Sequence, residues 1–146
     1  MQGALHYSGN PNLQNIILQP STTATETGNG DAVTALGEWR ILMLQLDVTA
    51  AADTVDDKAD VYLQTQLDGE NWVDVLHFTQ LAGNGGTKRY YAKLIWDAAL
   101  TEFENGTGLA AAASRSIGGD AYRVRWSITT VDAPSFTFSV IANVLS

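Results

Sequence analysis

The sequence predicts an all-β fold, an antiparallel β-sandwich or jelly roll with an extended N-terminal arm and a long central loop. Three observations predict it. From Glu38 onward apolar and polar residues alternate with a period of two, the signature of strands that bury one face. The alternating stretches are separated by short polar turns rich in Gly, Asp and Asn. Helical periodicity is nearly absent, and two packed layers are the arrangement that buries one face of each of roughly seven to nine strands.

Residues 1–37 differ in character from the rest. Gly, Asn, Gln, Ser and Thr dominate, and QPSTTATETGNGD (19–31) has almost nothing apolar to bury. One apolar island, Leu13, Ile16, Ile17 and Leu18, interrupts this stretch. The pattern fits an extended arm carrying one anchoring strand, and equally an ordinary first strand followed by a loop. Residues 38–146 then form the sandwich domain.

In EWRILMLQLDV (38–48), Leu42, Leu44, Leu46 and Val48 share one face, while Trp39, Ile41 and Met43 begin the other before Gln45 and Asp47 make it polar. TAAADTVDDKA (49–59) is an acidic connection. Val61, Leu63, Thr65 and Leu67 then alternate with Tyr62, Gln64, Gln66 and Asp68. Asp68-Gly69 is a tight-turn signal, and NWVDVLHF (71–78) is the returning strand. AGNGG (82–86) makes a turn into GTKRYYAKLIW (86–96). The last two strands, AYRVRWSITT and SFTFSVIANVL, form a core hairpin around Pro134. Between them and the preceding strand, 97–120 is a long loop in which Leu109–Ala113 has the propensity for a turn or two of helix.

Composition excludes several function classes. The chain has 146 residues, enough for one domain with a real core, and a formal net charge of -8, which repels nucleic acid. Without cysteine there is no disulfide, thiolate metal site or cysteine nucleophile. The N-terminal residues carry no signal-peptide pattern and no stretch has the length of a membrane span, so a soluble protein made in the cytoplasm is expected. Charged residues are only 16%, and such a sparse surface suits contact with other proteins.

No residue pattern advertises catalysis, and neither a cofactor nor a metal is expected. The Asp68-Gly69-Glu70-Asn71-Trp72 stretch has a partial likeness to the Asp-box turn of sialidases, which is itself structural. Asp53, Asp56, Asp57 and Asp60 lack the glycine and terminal glutamate of a calcium loop and are expected to be a solvated acidic connection. His77 is expected to face solvent or a neighbouring subunit. Arg123 and Arg125 share a strand face and are expected to pair across strands.

DVYLQTQLDGENWVDVLHFTQ (60–80), YRVRWSIT (122–129) and SFTFSVIANV (135–144) resemble the small β proteins that tailed bacteriophages encode among their head genes. With its length, arm and cysteine-free, Gly- and Ala-rich composition, the chain looks like an auxiliary (decoration, or cement) protein of a tailed double-stranded DNA phage head, including heads of thermophilic phages. The resemblance implies a homotrimer on the outer capsid surface of the virion, clamping the major capsid protein without enzyme activity, nucleic acid or membrane. The candidate capsid or subunit contacts are Leu13, Ile16, Ile17 and Leu18 in the arm. Trp39, Ile41, Tyr62 and Tyr90 on the sheets and Phe103 and Leu109 in the loop complete the set. A tail or baseplate structural protein is the nearer rival, and a carbohydrate-binding sandwich stacking sugars on Trp72 or Trp96 the other.

Overall fold

The computed structural model describes residues 13–34, 36 and 38–146. Among the described residues ten strands follow one another: β1 (Leu13–Ala24), β2 (Gly28–Asn29), β3 (Val33–Thr34), β4 (Ile41–Ala52), β5 (Lys58–Gln66), β6 (Trp72–His77), β7 (Leu81–Ala82), β8 (Lys88–Ile95), β9 (Ala121–Thr129) and β10 (Ser135–Leu145). Every pairing is antiparallel. The first sheet has the order β1-β10-β4-β8, and the second β2-β9-β5-β6, with β3 also on β9 and β7 on β5. The expected all-β sandwich is therefore what forms.

The core follows from strict alternation. On β10, Phe136, Phe138, Val140, Ala142 and Val144 are buried and the residues between them are half-buried. Leu42, Leu44, Leu46 and Val48 do the same on β4, and Val61, Leu63, Val124 and Trp126 face them from the second sheet. Trp126 meets Phe138 edge to face with ring centroids 5.5 Å apart, joining the two layers. Each Val, Leu or Phe side chain among them contributes about 1.5–3 kcal/mol on burial. Trp39, just before β4, is also inside, and its indole N–H donates to the Tyr122 hydroxyl at 2.9 Å.

All four sheet edges are guarded against pairing with another strand, each by a different device. β1 carries Pro20 and two register shifts, between Ile17 and Gln19 and between Gln19 and Thr22. β8 carries Lys88, Arg89 and Lys93. β2 and β3 are two residues each. β6 is covered by the 97–120 loop, through bonds from the Ala112 and Arg115 amides to His77 and Val75 carbonyls and from the His77 amide to the Ala113 carbonyl.

Within residues 13–24 the first strand expected of the N-terminal region is β1, an edge strand running along β10; the part of the arm expected over residues 1–12 lies outside the described residues. Two expectations need correction. Leu109–Ala113 forms no helix, because Ala112 takes a positive φ of 63° that breaks any helical path. The acidic connection is not simply solvated. Asp57 is fully buried, its Oδ1 accepting the Val131 amide at 2.6 Å and the Asp132 amide at 3.1 Å, while Asp53 Oδ2 accepts the Ala133 amide. The two carboxylates thus pin the β9–β10 turn. The Val131 amide chiefly holds the Asp57 carboxyl below the ordinary range, and the hydrogen bond with Asp57 raises that of Asp53. Among the described residues no helix is long and apolar enough to cross a membrane.

Candidate functional site

The two outer faces of the sandwich differ in chemistry. On the second sheet, a bulge in β6 decides what is displayed. Leu63 pairs with Leu76 and Gln64 with Asp74, so Val75 is an extra residue. Strict alternation would set His77 opposite Trp72 and Asp74; the extra residue brings all three to the outer face.

A continuous polar network covers that face. Arg123 Nε donates to Gln64 Oε1 at 2.8 Å, and Gln64 Nε2 donates to Asp74 Oδ1 at 2.9 Å. Arg125 grips both Asp74 oxygens, at 3.3 Å from Nε and 3.0 Å from Nη2. Tyr62 is sandwiched between the His77 ring at 4.1 Å and the Arg125 guanidinium at 3.9 Å. Burial, with the Asp60 charge second, raises the Tyr62 phenol, and burial followed by the Arg125 charge lowers Arg123. The expected cross-strand pairing of Arg123 and Arg125 is what forms. His77, expected at the surface, is instead covered by the loop: Nε2 lies 2.9 Å from Asp60 Oδ1 and Nδ1 lies 2.8 Å from the Leu109 carbonyl.

The 97–120 loop folds back over this face around Arg115. Its guanidinium donates to the Thr107 and Gly108 carbonyls at 2.9 and 3.0 Å, reaches the Asp74 carbonyl at 3.4 Å, and lies 3.9 Å over the Phe103 ring. Between loop and sheet lies an open cleft of about 450 Å³ with Trp72, Asp74 and Arg125 on its floor and Phe103, Asn105 and Leu109 on its wall. Nothing in the sequence separates Arg115 from a solvated arginine, since its partners are backbone carbonyls of a loop without periodicity. A second cleft, of about 620 Å³, lies at one end of the sandwich beside Trp39 and the exposed Trp96.

The outer face of the first sheet is divided: the Ser139, Asp47 and Arg89 row is polar and holds an ion pair, while the rows toward Ile41 carry exposed apolar side chains. Register places Ile17, Ile141, Gln45 and Tyr91 in one row across all four strands. Flanking rows hold Met43 with Asn143 and Lys93, and Ile41 with Leu145 and Ile95. Tyr91 is 71% exposed and Ile17 52%. A shallow depression of about 160 Å³ runs between Met43, Tyr91 and Ile141.

The expected contact residues divide accordingly. Ile17 and Ile41 lie on this apolar face. Ile16, Leu18 and Trp39 are buried in the chain's own core, and Tyr90 packs against it. Tyr62, Phe103 and Leu109 belong to the other face, at the cleft. Leu13 pairs with Leu145 at the start of β1. Tyr91, Met43 and Ile141 were legible as alternating residues, but period two alone does not tell which face of a strand another layer covers. Among the described residues no group of three or more acidic or histidine side chains is placed to hold a metal ion.

Comparison with protein-family models, with curated proteins and with solved structures gave no match.

Proposed function

We propose that this protein is a structural decoration (cement) protein of a tailed double-stranded DNA phage head. It stands on the outer capsid surface as a homotrimer and stabilises the shell through contact with the major capsid protein. One observation carries the reading: on the outer face of the first sheet Ile17, Met43, Tyr91 and Ile95 are exposed, with Ile141 half-buried among them, while the sheet's own edges are guarded. Guarded edges oppose strand addition, so association goes through the face, and exposed apolar patches of this kind mark protein contact.

The strand pairs β1·β10, β3·β9, β4·β8 and β5·β6 nest inside one another, and we read this as a jelly roll, an architecture that viral capsid and lectin domains share. The fold alone carries no function; the apolar face and the sequence resemblance support this one. The mechanism is mechanical. Small contacts repeated by symmetry add through multivalency, and the pressure of packaged DNA is opposed by added contacts rather than by chemistry. Mass measurement by light scattering after size exclusion tests the oligomer. Three times the chain mass is the expected value, and a monomer that also fails to bind capsids would remove the reading.

A further inference from the structure

Beyond capsid contact, we propose that the cleft between the 97–120 loop and the second sheet binds a neutral saccharide. Three properties of the cleft lead there. Much of its cationic capacity is already engaged: Arg115 donates through both Nη atoms to three carbonyls, and Arg125 turns its Nε–Nη2 fork onto Asp74, whose charge it neutralises, so the cleft is not built as a fork for a phosphate or carboxylate. What remains is single hydrogen-bonding capacity. Asp74 accepts three bonds of the roughly four a carboxylate can take, leaving room on Oδ2 for a hydroxyl. The exposed Asn105 amide on the loop wall, which no hydrogen bond engages among the described residues, supplies a donor and an acceptor. Hydroxyls, each both donor and acceptor, match that set.

The third property is an aromatic surface. Trp72 lines the cleft, and the guanidinium stacked on it at 4.3 Å belongs to Arg123, which does not line the cleft. Arg123 therefore backs the indole and holds it in place, leaving its other side for the C–H face of a sugar ring. The floor is preorganised, because Gln64, Asp74 and Arg125 fix one another across three strands before any ligand arrives, which lowers the ordering cost of binding. A volume of about 450 Å³ that is open to solvent suits one or two rings of a longer chain.

The test uses the full chain on an array of immobilised neutral and acidic oligosaccharides, with the strongest neutral one then titrated calorimetrically. Binding of a neutral glycan is expected, weakened at least tenfold by Trp72→Ala and several-fold by Asn105→Ala, and unchanged by Trp96→Ala in the other cleft. Thermal melts check that the variants are folded, and Asn105→Ala, on an exposed loop, keeps the test open if Trp72→Ala is not. An array with no neutral hit, hits confined to acidic glycans, or binding indifferent to both cleft variants would overturn the proposal. None of these outcomes depends on capsid binding, so the two readings stand or fall separately.

Discussion

His77 and Asp60, 17 positions apart in sequence, meet at 2.9 Å on the outer face of the second sheet, and the other nitrogen of the same ring meets the Leu109 carbonyl. One side chain thereby ties the 97–120 loop to β5. Both nitrogens face acceptors. His77→Ala leaves a shielded carbonyl and part of a carboxylate without their partner, a loss of about 1–3 kcal/mol. Hydrogen exchange is the measurement: protection of the Ala112, Ala113 and Arg115 amides should fall while that of β10 is retained.

Gly119 is required by proximity rather than by its φ. A Cβ there would come within 1.8 Å of the Gln66 carbonyl oxygen, which accepts the neighbouring Asp120 amide. Gly119→Ala should push the loop off the end of β5 and cost more than about 2 kcal/mol in urea unfolding. Gly108→Ala, with nothing within 4 Å of its added carbon, should stay within about 0.5 kcal/mol.

Much of this fold was legible in the sequence. Leu42 to Val48 and Phe136 to Val144 alternate without interruption, and the structure buries them as alternation demands. The turn at Asp68-Gly69 was also legible, since Gly69 adopts the positive φ of 78° that the pair predicts. The candidate cleft was not. Its floor depends on the bulge at Val75, which brings His77 to the same face as Trp72 and Asp74, and in the sequence that bulge shows only as a phase slip, the consecutive apolar Val75 and Leu76, which reads equally as the end of regular alternation. Its wall depends on Arg115 and backbone carbonyls, a clasp that any sequence with a reachable arginine could make. Leu18 and Trp39 read as contact residues because an apolar residue destined for the core looks the same as one destined for a partner.

The Asp68 carboxylate accepts the Asn71 and Glu70 amides at 2.8 and 2.9 Å, which hold its pKa down at about 2 from the usual 3.8. The folded value lies below the unfolded one. Its stabilising contribution is therefore complete above about pH 4 and is lost as the pH falls toward 2. Carboxyl NMR titration should find Asp68 protonating near pH 2, well below the ordinary aspartate value. Asp68→Asn, which keeps an acceptor oxygen, should flatten the stability profile between those pH values.

Phe138 is fully buried between the layers and Tyr91 is exposed on the first sheet. Phe138→Ala should cost about 3–5 kcal/mol. Tyr91→Ala should change unfolding free energy by no more than about 0.5 kcal/mol, because that ring is proposed to act in association and not in folding. A large loss at Tyr91 in the isolated chain would assign the ring to the fold instead.

The central claim is that the apolar face of the first sheet seats this protein in a capsid, and cosedimentation tests it most directly. Shells assembled from the major capsid protein of the same genome are spun with the wild-type chain and with a folded Ile17→Lys, Tyr91→Lys double variant. The account predicts that the wild type pellets with the shells to saturation and that the variant stays in the supernatant. A wild type that remains in the supernatant, or a variant that pellets equally well, would contradict it.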